Sequence, residues 1–97
     1  MSERPIDPTV QRLRGEISEA DRAILAVMNT RIALVADLKR HKEEIGLPFL
    51  DPDRERELIE ELDGKNAGPL SAEGLRELYS FLLDLTKREV GRDGRPR

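Results

Sequence analysis

Between Pro8 and Pro48 the chain has no proline, and over that stretch its apolar residues return at heptad-like intervals: Val10, Leu13, Ile17, Ala20, Ile24, Val27, Leu34 and Leu38, broadened by Met28, Ile32 and Val35. Steps of three and four residues place side chains on one face of an α-helix. One long amphipathic helix is therefore predicted. Asp7-Pro8 supplies its start, a cap followed by a proline whose missing N–H costs nothing at the first helical position, and Gly46 its end. A helix over 8–43 at 1.5 Å per residue is roughly 50 Å long, more than a compact domain of 97 residues covers alone. Helices in water depend on the packing of their apolar face, so the seam predicts a second copy wrapped against the first, an intertwined homodimer.

Two shorter helices follow. Asp51-Pro52 repeats the cap-plus-proline signal, and Leu58, Ile59 and Leu62 give the second helix one apolar stripe before the turn-rich exit Asp63 to Pro69. Ser71 caps a third helix, whose predicted stripe is Leu75, Leu78, Leu82 and Leu85 and whose end falls near Val90-Gly91. The fold class is all-α, a three-helix protomer of long, short and medium helices. Residues 1–7 read as an N-terminal extension, 8–90 as one domain, and 91–97 as a disordered tail with no apolar side chain after Gly91.

Composition narrows the chemistry. Without cysteine there is no disulfide or thiolate site, and a single histidine, His41, rules out a histidine-based metal site or a His-dependent triad within one chain. His41 itself reads as a solvated side chain. The 17 basic and 20 acidic residues are interspersed and sum to a net charge of -3, which argues against nucleic acid as a partner. Met1 to Pro8 lacks the apolar run of a signal peptide and no stretch approaches a membrane span, so a cytoplasmic protein without membrane attachment is expected.

The anomaly is Arg31. In the series Val10, Ile17, Ile24, Arg31, Leu38 every other member is apolar. A guanidinium there must be paired or must meet a ligand, because a buried unpaired one costs several kcal/mol. Lys42, eleven residues on, projects within about 20° of Arg31, with a backbone separation of about 16 Å. Two long side chains span that gap around a small dianion, over a floor of Val35 and Leu38. Arg14 lies some 25 Å from Arg31 along the helix and about 100° around it, and reaches such a pocket only from an antiparallel second copy. The plain alternatives are solvated side chains for Arg14 and Lys42, and snorkelling or a salt bridge to an acid such as Glu55 for Arg31. Asp51 reads as a cap in any case. Arg54 in a first helical turn is unfavourable for a cation and invites an anionic partner.

The arrangement Leu13-Arg14-x-x-Ile17-x-x-x-Asp21, then Arg31, Lys42 and Asp51-x-x-Arg54-Glu55 resembles the all-helical (type II) chorismate mutases, without insertion or deletion, over about residues 8–90. The resemblance implies an interlocked homodimer that rearranges chorismate to prephenate in phenylalanine and tyrosine biosynthesis, with no cofactor and no metal. It implies a dicarboxylate substrate held by Arg31, Arg54 and an Arg14 donated by the partner, with Lys42 on the ether oxygen and Asp51 and Glu55 around the ring hydroxyl. Thr86 takes the place of a usual serine near a carboxylate. Val90 stands where the family carries a glutamine or glutamate that also reaches the ether oxygen, a departure that leaves open reduced turnover, dependence on a larger synthase partner or an altered substrate. The alternatives are a 4-amino-4-deoxychorismate mutase, an isochorismate pyruvate lyase, whose relatives lack the Asp51, Arg54 and Glu55 arrangement, and a non-catalytic helical dimerisation module.

Overall fold

The computed structural model describes residues 7–92. They form three helices, α1 (Pro8–Ile45), α2 (Pro52–Lys65) and α3 (Ala72–Arg92). The long, short, medium order is the one anticipated, and each start is set by the residue expected to set it. Asp7 Oδ1 accepts from the Val10 N–H at 3.0 Å, Asp51 Oδ1 from the Arg54 N–H at 3.0 Å, and Ser71 Oγ from the Gly74 N–H at 2.9 Å. Each satisfies a backbone donor that a helix start leaves without a partner.

The end of α1 is equally well defined. Gly46 takes φ +76°, a conformation costly for any residue with a Cβ, and lets two carbonyls be caught: Leu47 N–H donates to Lys42 O at 2.8 Å and Gly46 N–H to Glu43 O at 3.4 Å. That closure at Ile45 lies two residues beyond the sequence expectation. α3 likewise continues through Gly91 and Arg92, which the expected tail had included, while Asp93–Arg97 and Met1–Ile6 of the expected extension lie outside the described residues.

The chain divides into two units at Arg31/Ile32. In the first, the described residues belong to α1 and its cap, and nearly all are exposed. The second contains the end of α1 with α2 and α3. Within it α2 packs on α3, and two ion pairs join them, Arg76 to Asp63 at 3.3 Å and Lys87 to Glu55 at 3.1 Å. Because the later residue of α3 meets the earlier residue of α2, the two helices run antiparallel.

Among the described residues of the second unit, the buried side chains are Ala36, Leu75, Leu83, Thr86 and Val90. This corrects the expected α3 stripe. Leu75 is buried, but Leu82 and Leu85 are only partly so and Leu78 is 48% exposed. At 100° per residue, the face centred on Leu75, Leu83, Thr86 and Val90 is rotated by about 80° from the predicted one. α3 carries apolar residues over a wide arc, with Phe81 also outward. Periodicity alone does not rank the sides of such a helix.

The α1 seam is left uncovered in the protomer. Val10, Leu13, Ile17, Ile24, Val27, Leu34 and Leu38 range from 40% to 65% exposed. A contiguous apolar stripe of that length is unusual on a monomeric surface.

Candidate functional site

Lys42 sits in the last turn of α1, where a cation is favoured by the negative end of the helix dipole. Its side chain is half-buried, and its Nζ donates to the Phe49 carbonyl at 3.4 Å. Lys39, one turn earlier, places its Nζ 5.8 Å from the centre of the Phe49 ring, within cation–π range. The connection after Gly46 is thus held against the end of α1 by two lysines at Phe49, three residues before α2 begins.

Asp51, Arg54 and Glu55 occupy that start. Asp51 is committed to capping, with its carboxylate on the Arg54 N–H and its carbonyl accepting from the Glu55 N–H at 3.1 Å. The Arg54 guanidinium is exposed, whereas Glu55, one position on, is half-buried against α3. There it meets Lys87, whose Nζ lies 3.3 Å from Oε1 and 3.1 Å from Oε2. Lys87 was not among the residues the sequence singled out. An i,i+3 partner, Asp84 at 3.7 Å, accounts for a lysine there locally, so only the packing of α2 on α3 identifies it.

Thr86 and Val90 are each 2% exposed, on the face of α3 turned into the second unit. The Thr86 hydroxyl donates to the Leu82 carbonyl at 2.8 Å, a bond back along its own helix. Val90 is the largest fully buried side chain among the described residues, so α3 is apolar where the resemblance leads one to expect a glutamine or glutamate.

Arg14 and Arg31 belong to the first unit. Arg14 is exposed and Arg31 is half-buried at the unit's last position. His41 is exposed, as anticipated. Among the described residues, Arg14, Lys42 and Arg54 form no salt bridge, although the other charges of the chain pair frequently, as in Arg12 with Glu16, Arg56 with Asp53 and Lys65 with Glu61. Cations without a resident counter-charge suit an anionic guest. Within that same set no group of His, Cys, Asp or Glu is arranged to hold a metal ion, and no helix is long and apolar enough to cross a membrane.

The family model for chorismate mutase type II matches residues 13–90. Two solved structures of chorismate mutase from Thermus thermophilus are similar to the chain. Form II is 33% identical, with a TM-score of 0.82 over 88% of this chain and 97% of that one. Form I is 35% identical, with a TM-score of 0.78 over 80% and 98%. No curated protein matches. The matched span contains every residue from Arg14 to Val90 named above, and the chain belongs to the type II chorismate mutase family.

Proposed function

We propose that the chain acts as a homodimer that converts chorismate to prephenate, the isomerase activity its family membership assigns, at two sites each completed by Arg14 of the opposite copy. The observation that carries this reading is the family match, which spans all eight candidate residues. The pairing is supported by the uncovered seam of α1.

The reaction is a [3,3] rearrangement, in which one σ bond breaks as another forms within a single molecule. It needs no nucleophile, base or redox partner. A protein accelerates it by holding the enolpyruvyl side chain over the ring and by placing positive charge where the ether oxygen becomes electron-rich. Arg14 of the partner, Arg31 and Arg54 grip the two carboxylates, and bidentate guanidinium pairing fixes direction as well as distance. Lys42 meets the ether oxygen. Glu55 accepts from the ring hydroxyl, with Asp51 close by as the cap that holds this turn in place. Thr86 lies near a carboxylate, and Val90 closes the α3 side. The product feeds aromatic amino-acid synthesis, in the cytoplasm.

The test is to incubate the purified protein separately with chorismate, 4-amino-4-deoxychorismate and isochorismate and to identify the products. Prephenate from chorismate is expected. Preferred turnover of the amino analogue, which the apolar Val90 keeps in view, would change the substrate, and pyruvate release from isochorismate would change the reaction. Conversion of none would reject the enzyme. Arg31→Ala should lower turnover by about two to three orders of magnitude, the scale for removing one preorganised charge-stabilising donor, while leaving a helical dimer. An unfolded variant would mark Arg31 as structural.

A further inference from the structure

The proposed site holds a doubly negative guest and yet includes a carboxylate, Glu55. Like charges brought close in a partly desolvated pocket repel strongly. Glu55 is not left with that charge uncompensated. Lys87 Nζ bridges both of its oxygens, at 3.3 Å and 3.1 Å, with the two side chains 32% and 34% exposed. An ammonium shared between both oxygens fixes the plane of the carboxylate and offsets its charge. Asp84, 3.7 Å from the same Nζ and 76% exposed, is the weaker partner.

We infer that Lys87 is a positioning residue for the reaction: it presents the Glu55 carboxylate as a fixed acceptor for the ring hydroxyl and cancels the negative charge that would repel the substrate carboxylates. The inference rests on the role proposed for Glu55. Lys87 lies between Thr86 and Val90 on α3, and its contact with Glu55 at 3.1 Å puts it at the edge of the proposed site. An ion pair with both partners about one-third exposed is partly screened and adds modestly to fold stability, so its larger contribution is orientation and charge balance.

The experiment compares Lys87→Met, Lys87→Arg, Glu55→Gln and the Glu55→Gln/Lys87→Met pair, each checked for helicity and sedimentation. Lys87→Met should raise KM about tenfold, the scale of a small misplacement with a charge term added, and lower kcat much less. Added salt should shrink the rise in part, by screening the side of the half-buried carboxylate that faces solvent. Lys87→Arg should restore KM, and in the Glu55→Gln background Lys87→Met should change it no further. An unchanged KM in folded Lys87→Met, a rise indifferent to salt, or an effect that adds in full to that of Glu55→Gln overturns the inference. If Lys87→Met does not fold, Lys87→Gln takes its place, and failure of both makes Lys87 structural and overturns it too. If instead Glu55→Gln leaves kcat/KM unchanged while Arg31→Ala abolishes turnover, the placement of Glu55 on the substrate is what fails, and the inference falls with it.

Discussion

Ile24→Asp is the most direct test of the dimer on which the proposed site depends. Ile24 lies on the α1 seam and is 63% exposed in the protomer. If Arg14 of one copy lies across from Arg31 of the other in an antiparallel pair, the two-fold axis passes between residues 22 and 23, and both copies of Ile24 sit close to it. Fully burying an isoleucine side chain gives about 1.5–3 kcal/mol. With 63% of Ile24 still to be covered, each copy has about 1–2 kcal/mol to gain on pairing, and the two together about 2–4 kcal/mol. Removing that term alone weakens the dimer by about thirty- to a thousandfold. Two aspartates near the axis add desolvation and like-charge repulsion in the same direction. Sedimentation velocity across a dilution series, with turnover measured at matching concentrations, reads both consequences: the variant should be a helical monomer with little activity. A variant that stays dimeric with wild-type affinity would refute the seam as the interface. A monomer with wild-type turnover would refute the shared site.

Two further outcomes follow from the same geometry. Arg14→Ala and Lys42→Ala should each be inactive alone, yet mixing and re-equilibrating them should restore up to about a quarter of wild-type turnover, because half the dimers are hybrids and each hybrid has one intact site; no recovery would place Arg14 in its own protomer's pocket or outside any. Val90→Gln should raise kcat at least tenfold if the added amide reaches the ether oxygen, while costing about 1–3 kcal/mol of stability for a polar group at a buried position. An unchanged kcat in a folded dimer would show that Val90 faces elsewhere.

How far these arguments could be made from sequence depends on the kind of signal. The three helices were legible because their caps are local chemistry: Asp7-Pro8, Asp51-Pro52 and Ser71 each satisfy an N–H three residues on, and such bonds need no knowledge of the rest of the fold. The face of α3 was not legible, because Leu78 and Phe81 make its outer side as apolar as its inner one. What hydrophobicity cannot rank, packing decides. Arg31 stood out because it breaks a heptad, a contrast internal to one helix. Lys87 did not, since its meaning lies in a contact across 32 residues of chain to Glu55. The burial of Thr86 and Val90 was hidden for a related reason: neither belongs to the Leu75, Leu78, Leu82 and Leu85 stripe by which the sequence marks the inner face of α3.

That burial sharpens the question of how the breaking bond is served. On the proposed reading, Val90, apolar and enclosed, leaves α3 without a side-chain donor at that bond, and Lys42 addresses the ether oxygen alone. Its surroundings suit the task. The backbone of Lys42 is pinned by the capping bond from Leu47 at 2.8 Å, while its ammonium rests on a neutral carbonyl, Phe49 O, at 3.4 Å. A carboxylate partner would offset the charge and would have to be displaced for the ammonium to act. A carbonyl at the long end of hydrogen-bond range leaves most of that charge available and is readily exchanged for an incoming oxygen. Lys39, over the Phe49 ring, holds the carbonyl's own residue in place. Exchanging Lys42 for arginine should therefore be far from conservative, because the broad, planar guanidinium cannot take the place of a compact ammonium beside the Phe49 carbonyl.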